Sequence, residues 1–195
     1  MILISIRPFA FAPRKMLALL IGLVCLANVS SFASSLFMPV DSTPYDRQMS
    51  RIRPVLVASK ASARGQVSLT TVNQWMEDLR GIPYAYHLEW KTPSEVQSGQ
   101  PADCKGKAVA LYERMQARGA SNVRLVIGKR APTSRTTHAW LVWESDEGEF
   151  VLDPTFNWTA SRSETLRDRE YQPLYAYAGS KKFRAANASP LVAKN

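Results

Sequence analysis

The spacing of the apolar residues changes once along this chain, and that change dictates the class of fold. From Ser68 to Arg80 they recur every three or four positions, as Val72, Trp75, Met76 and Leu79, and the pattern stops at Gly81. Thr92, Pro93 and Glu95 form a strong helix start, with Thr as N-cap, Pro in the first turn and Glu at the third position, for a short helix ending near Gly99. Asp103 is placed to cap a third helix, Cys104 to Arg118, whose apolar stripe is Ala108, Leu111, Tyr112 and Met115 and whose stop is Gly119. Beyond Gly119 the period falls to two. Val123, Leu125 and Ile127 alternate with Arg124 and Val126 in a strand ending at Gly128. His138–Trp143 and Glu149–Leu152 read as two further strands, joined through Ser145–Gly148 as a hairpin. Helices followed by antiparallel strands predict an α+β fold. The tail adds Tyr171, Tyr175, Tyr177 and Phe183, enough apolar surface to pack back on the domain.

The first segment reads differently. Arg7, Arg14 and Lys15 precede an apolar run from Met16 to Val29, which ends in Ser30, Ser31, Phe32, Ala33 and Ser34. A basic start, about 14 apolar residues and small residues at the −3 and −1 positions describe a secretory signal peptide cleaved after Ala33. The run is shorter than the roughly 20 residues of a spanning helix. The expected organisation is therefore a signal peptide over 1–33, a lead-in over 34–66 and one domain over 67–195, exported to the periplasm or secreted, with no membrane anchor after cleavage.

Composition narrows the partners. The chain has 195 residues, of which 46% are hydrophobic, suiting one folded domain. Its net charge is +9; removing residues 1–33 takes three positive charges and no negative one, leaving +6. That excess is scattered through Arg47, Arg51, Arg53, Arg64, Lys129, Arg130, Lys181, Lys182 and Arg184 rather than gathered with stacking aromatics, which argues against nucleic acid and reads as a solvated basic surface, of a sign that favours an acidic partner or a membrane surface. With 2 Cys and 2 His, structural zinc is excluded, and neither a metal nor another cofactor is expected. Export also removes Cys25. Cys104 is then alone, so no internal disulfide can form and a monomer is expected.

An unpaired cysteine in an oxidising compartment is inert, linked to another chain, or kept for its reactivity, and its surroundings decide. Cys104 opens a helix, where free backbone N–H groups and aligned peptide dipoles favour a thiolate and can hold a developing oxyanion. His138 opens one strand of the hairpin and Asp153 closes the other, nearly equidistant from the turn, so the two are opposite or diagonal neighbours. An Asp beside a His fixes the ring's orientation and tautomer and favours its protonated form. Cys104, His138 and Asp153 are therefore the candidate catalytic residues of a nucleophilic acyl transfer. Gln97, Gln100 and Trp90 are candidates for the second oxyanion donor. His87 reads as structural. Trp140 and Trp143 differ in parity and must face opposite sides of their strand.

Asp103-Cys104 with Ala108 and Leu111, then Thr137-His138-Ala139-Trp140, then Leu152-Asp153-Pro154-Thr155 resemble the three motif blocks of the transglutaminase-like superfamily. Trp90, Thr92-Pro93 and Glu95 resemble, more narrowly, the bacterial transglutaminase-like cysteine proteinases. The resemblance covers residues 68–178. It implies a papain-like core, Cys104 packed against a sheet carrying His138 and Asp153, and cleavage of a protein or peptide substrate, in that family a cell-surface adhesin. Transfer of the acyl group to an amine, and a non-catalytic peptide- or wall-binding module, are the competing readings. One departure stands out. In the adhesin-releasing members acidic residues flank the nucleophile and help bind a regulatory calcium, whereas here Asp103 is followed by Lys105 and Gly106 beyond the cysteine. The expectation is an activity that needs no calcium.

Overall fold

Ser68 starts the first long helix as its residue type suggests: its hydroxyl accepts from the Thr71 N–H at 3.2 Å. The computed structural model describes residues 37–58, 67–97, 100–167 and 170–186, so the signal-peptide reading of 1–33 and the stop at Gly99 lie outside the described residues. In chain order the elements are β1 (Phe37–Pro39), α1 (Arg53–Val57), α2 (Leu69–Gly81), α3 (Pro93–Gln97), α4 (Cys104–Ala117), β2 (Val123–Lys129), β3 (His138–Ser145), β4 (Gly148–Leu152), β5 (Ser161–Arg162), β6 (Gln172–Ala178) and β7 (Lys181–Ala185). The expected boundaries of the hairpin and of the three helices, the end of α3 aside, hold to within about two residues.

α4 is the organising helix. Asp103 caps it, Oδ1 accepting the Gly106 N–H at 3.1 Å. Gly119, at φ +80°, closes it with paired bonds from its own N–H to Gln116 O (3.0 Å) and from Ala120 N–H to Met115 O (2.9 Å). The sequence predicts one apolar stripe, but the helix is buried on more faces than that, with Gly106, Val109 and Ala110 covered as well as Ala108, Leu111, Tyr112 and Met115. Small residues let α2 and α3 close on one side while the sheet closes on the other. The Tyr112 hydroxyl, accepting from Gly179 N–H at 3.1 Å, ties the helix to the β6–β7 turn.

The sheet is antiparallel throughout, in the order β1-β7-β6-β2-β3-β4-β5. Its helix-facing side carries the main core, including Leu125, Ile127, Leu141, Trp143, Leu152 and Tyr175. Its other side carries a smaller cluster of Val126, Trp140, Val151, Tyr171 and Ala176. Trp140 and Trp143 thus face opposite sides. The tail does more than pack back: it folds into β6 and β7, and β6 lies beside β2 in the middle of the sheet. The lead-in supplies the edge strand β1 and the helix α1.

One close approach shapes the end of the sheet where β3 begins. The β2–β6 register shifts between Ile127 and Gly128, and a Cβ on Gly128 would lie 2.2 Å from the Gln172 carbonyl oxygen and 2.6 Å from the Trp140 ring. No side chain fits there. Gly128→Ala should therefore lower unfolding stability by about 1–3 kcal/mol, the usual cost of overpacking, as measured by urea denaturation; unchanged stability would show that β6 can retreat.

Candidate active site

Asp153 lies one residue past the last β3–β4 pair, Leu141 with Leu152, so it falls beside Trp140 and diagonal to His138. The two side chains meet. His138 Nε2 and Asp153 Oδ2 are 2.8 Å apart, with Asp153 fully buried. The same carboxylate accepts from the Thr155 N–H at Oδ1 (3.0 Å) and from the Tyr171 hydroxyl at Oδ2 (2.9 Å). Cys104 is the second group close enough to the ring to act on its charge. Burial opposes a charge on His138, but the Asp153 hydrogen bond, then the Cys104 hydrogen bond and the attraction of both partners, push its pKa up to about 9. The imidazole also lies between two rings, stacked on Trp140 (centroids 6.0 Å apart) and edge-on to Phe156 (5.2 Å). Together these contacts fix the plane of the ring and shield its bond to Asp153 from water.

Cys104 sits in the first turn of α4, 8% exposed, as a free thiol. Its surroundings are clamped from several directions. Lys107, one turn on and buried, sends its ammonium to the carbonyl of Ile82 at 2.6 Å, pinning the end of α2. Burial lowers the pKa of that ammonium, and nearby Arg80 lowers it further. The loop from 83 to 90 is held by Ala102 N–H on Pro83 O (2.9 Å) and by His87 N–H on Asp103 Oδ2 (3.3 Å). His87 directs its ring at Pro101 O, 3.2 Å away, a structural contact. Lys105 bonds the Asp103 carboxylate and the His87 carbonyl (2.8 Å), its ammonium 4.8 Å from the centre of the Tyr86 ring.

The remaining candidates are placed as follows. Gln97 ends α3 and Gln100 follows it, both exposed, and neither is brought to the cluster by a hydrogen bond. Trp90 is buried in the main core with its indole N–H unpartnered among the described residues. Tyr171 reads from the sequence only as tail packing. It holds a left-handed backbone, φ +51°, a conformation costing a non-glycine residue about 1–2 kcal/mol. Its N–H donates to Arg130 O at 2.9 Å, its ring meets Trp140 edge-on at 5.3 Å and its hydroxyl accepts from Asn157 Nδ2 at 3.1 Å. Nothing in the local sequence marks it, because the contact to Asp153 spans 18 positions and depends on β6 entering the sheet.

No sequence-family profile and no curated protein matches this chain. Solved structures do. The calcium-bound form of LapG from Legionella pneumophila superposes with a TM-score of 0.53 at 15% identity, over 76% of this chain and 83% of that one. The EGTA-treated form gives 0.53 at 16% identity, over 76% and 81%. The chain therefore has the papain-like, transglutaminase-like fold, and at this identity the likeness defines the fold alone.

The cluster makes a test that needs no substrate. Alkylation of Cys104 by iodoacetamide should show a step near pH 9, where His138 loses its proton, and His138→Gln should abolish the step. Tyr171→Phe removes one donor from Asp153, leaves the carboxylate a stronger pull on the imidazolium proton, and should move the step to higher pH. An unmoved step would make Tyr171 a packing residue only.

Proposed function

We propose that this protein is an exported cysteine peptidase that cleaves an amide bond of a protein or peptide through a thioester. The observation that carries the reading is the 2.8 Å contact between His138 Nε2 and the buried Asp153, with Cys104, at a helix N-terminus, close enough to the same imidazole to raise its pKa. The motif resemblance and the shared fold support it. His138 keeps Cys104 as thiolate, which attacks the carbonyl carbon. The oxyanion forms against the Cys104 backbone N–H at the start of α4 and one further donor. The imidazolium then protonates the leaving amine, and Asp153 stabilises the ring while it is charged. Water then gives a proton to the now neutral His138 and adds to the thioester carbon, and cleavage of the C–S bond releases the acid and restores the thiolate beside the imidazolium. The basic and apolar N-terminal segment supports export.

The fold's LapG relative was determined both calcium-bound and EGTA-treated. The residues beside Cys104 do not fit that ion here. Calcium takes six to eight oxygens, usually several of them from carboxylates. Asp103 supplies one carboxylate, and its two oxygens are already taken by the Gly106 N–H and by the Lys105 ammonium. Among the described residues no group of three His, Cys, Asp or Glu converges as a metal site. The tethered ammonium of Lys105 stands where a cation could otherwise balance Asp103, and we expect no role for calcium.

Incubated with an unfolded protein mixture, the wild type should generate new N-termini detectable by mass spectrometry. Cys104→Ala and His138→Ala should lower the rate at least about 1,000-fold, with Asp153→Asn milder but still severe. EGTA should leave the rate unchanged. Full activity in Cys104→Ala would overturn the mechanism, amine incorporation without new termini would make the protein a transglutaminase, and calcium-reversible loss in EGTA would overturn the reading of Lys105.

A further inference from the structure

Large apolar side chains left in water are uncommon and gather where something binds. Of the seven exposed ones among the described residues, five lie in two loops: Tyr84, Tyr86 and Leu88 before α3, and Phe156 and Trp158 after Asp153. Each of the four aromatics is about half exposed or more, from 49% for Phe156 to 69% for Tyr86. The loops are not loose. Ala160 N–H on Asn73 Oδ1 (2.8 Å) anchors the second to α2, while Asp103 and Pro83 hold the first. Each loop also reaches the candidate catalytic residues and forms a rim beside them. Phe156 lies against His138, and Tyr84 is near enough to Cys104 and Asp103 that, after burial, their charges raise its phenol pKa.

Three of these rings carry a cation. Arg80 lies 5.1 Å from the centre of Trp158, Lys105 4.8 Å from Tyr86 and Arg130 4.5 Å from Phe156. Lys105 is neutralised by Asp103. Among the described residues neither Arg80 nor Arg130 has a carboxylate partner. In both arginines Nε is buried without a hydrogen-bond partner and Arg130 also bonds the Tyr171 hydroxyl, so a carboxylate would be met at the terminal nitrogens of a guanidinium that its ring holds in place. Phe156, which carries Arg130, lies 5.2 Å from the His138 ring, and this sets that cation beside the candidate catalytic residues.

We propose that the two rims select the substrate: an extended polypeptide whose apolar side chains rest on Tyr84, Phe156 and Trp158 and whose Asp or Glu side chains, near the bond to be cut, pair with Arg80 and Arg130. This rests on the peptidase reading for the cut itself, but not for the binding. The test uses a pool of random dodecapeptides panned on the Cys104→Ala protein at physiological salt. Bound peptides should be enriched in Asp and Glu, and adding Arg80→Gln and Arg130→Gln should remove most of the enrichment, each guanidinium being worth a factor of about five in affinity. Circular dichroism checks that both proteins are folded. Enrichment that survives in the double arginine variant, or none at the outset, overturns the proposal. The wild type then receives the selected peptides. Acid-selective binding without cleavage upholds the rims and contradicts the peptidase reading, whereas cleavage elsewhere with no acidic preference does the reverse.

Discussion

A carboxylate buried without a partner costs several kcal/mol, and Asp153 has none of its surface in water. Its three donors come from different parts of the chain: the imidazole from the start of β3, the N–H of Thr155 from the turn that follows it, and the hydroxyl of Tyr171 from the segment leading into β6. The surrounding structure is arranged to bring those donors in. The shift of register at Gly128 lets β6 close on β2, which sets Tyr171 beside Trp140; the strain in the Tyr171 backbone is tolerated because its N–H, ring and hydroxyl are all fixed. The raised pKa of His138 is the electrostatic consequence of that arrangement.

The nucleophile is placed by a second, separate set of contacts. α4 is buried on several faces, so its first residue cannot drift, and Asp103, Lys105 and Lys107 tie its first turn to the loop at 83–90 and to the end of α2. Those ties leave the Cys104 backbone N–H at the open end of a helix. The two sets come together where α4 packs on β3, with Cys104 close enough to His138 to raise its pKa.

Much of this was legible in the chain. The helix caps at Thr92 and Asp103 are local chemistry, and so are the hairpin turn and the parity that separates Trp140 from Trp143. His138 and Asp153 could be paired from sequence because their distances from one turn nearly match. What escaped is non-local. β6 reads as an apolar run, Leu174 to Tyr177, since a central strand is covered on both faces and loses its alternation. β1 is three residues long and takes its identity from β7. The donors from Tyr171 to Asp153 and from Lys105 to the His87 carbonyl depend on which loops the fold juxtaposes, and no spacing rule encodes them.

The central claim is that His138 is held as a cation between Asp153 and Cys104. With only two histidines in the chain, the imidazole resonances can be assigned by substitution and followed by NMR against pH. The account predicts that His138 titrates near 9 and that Cys104→Ala lowers that value, because the sulfur contributes to it. A His138 that titrates near the ordinary value of about 6.5, indifferent to the loss of Cys104, would contradict it.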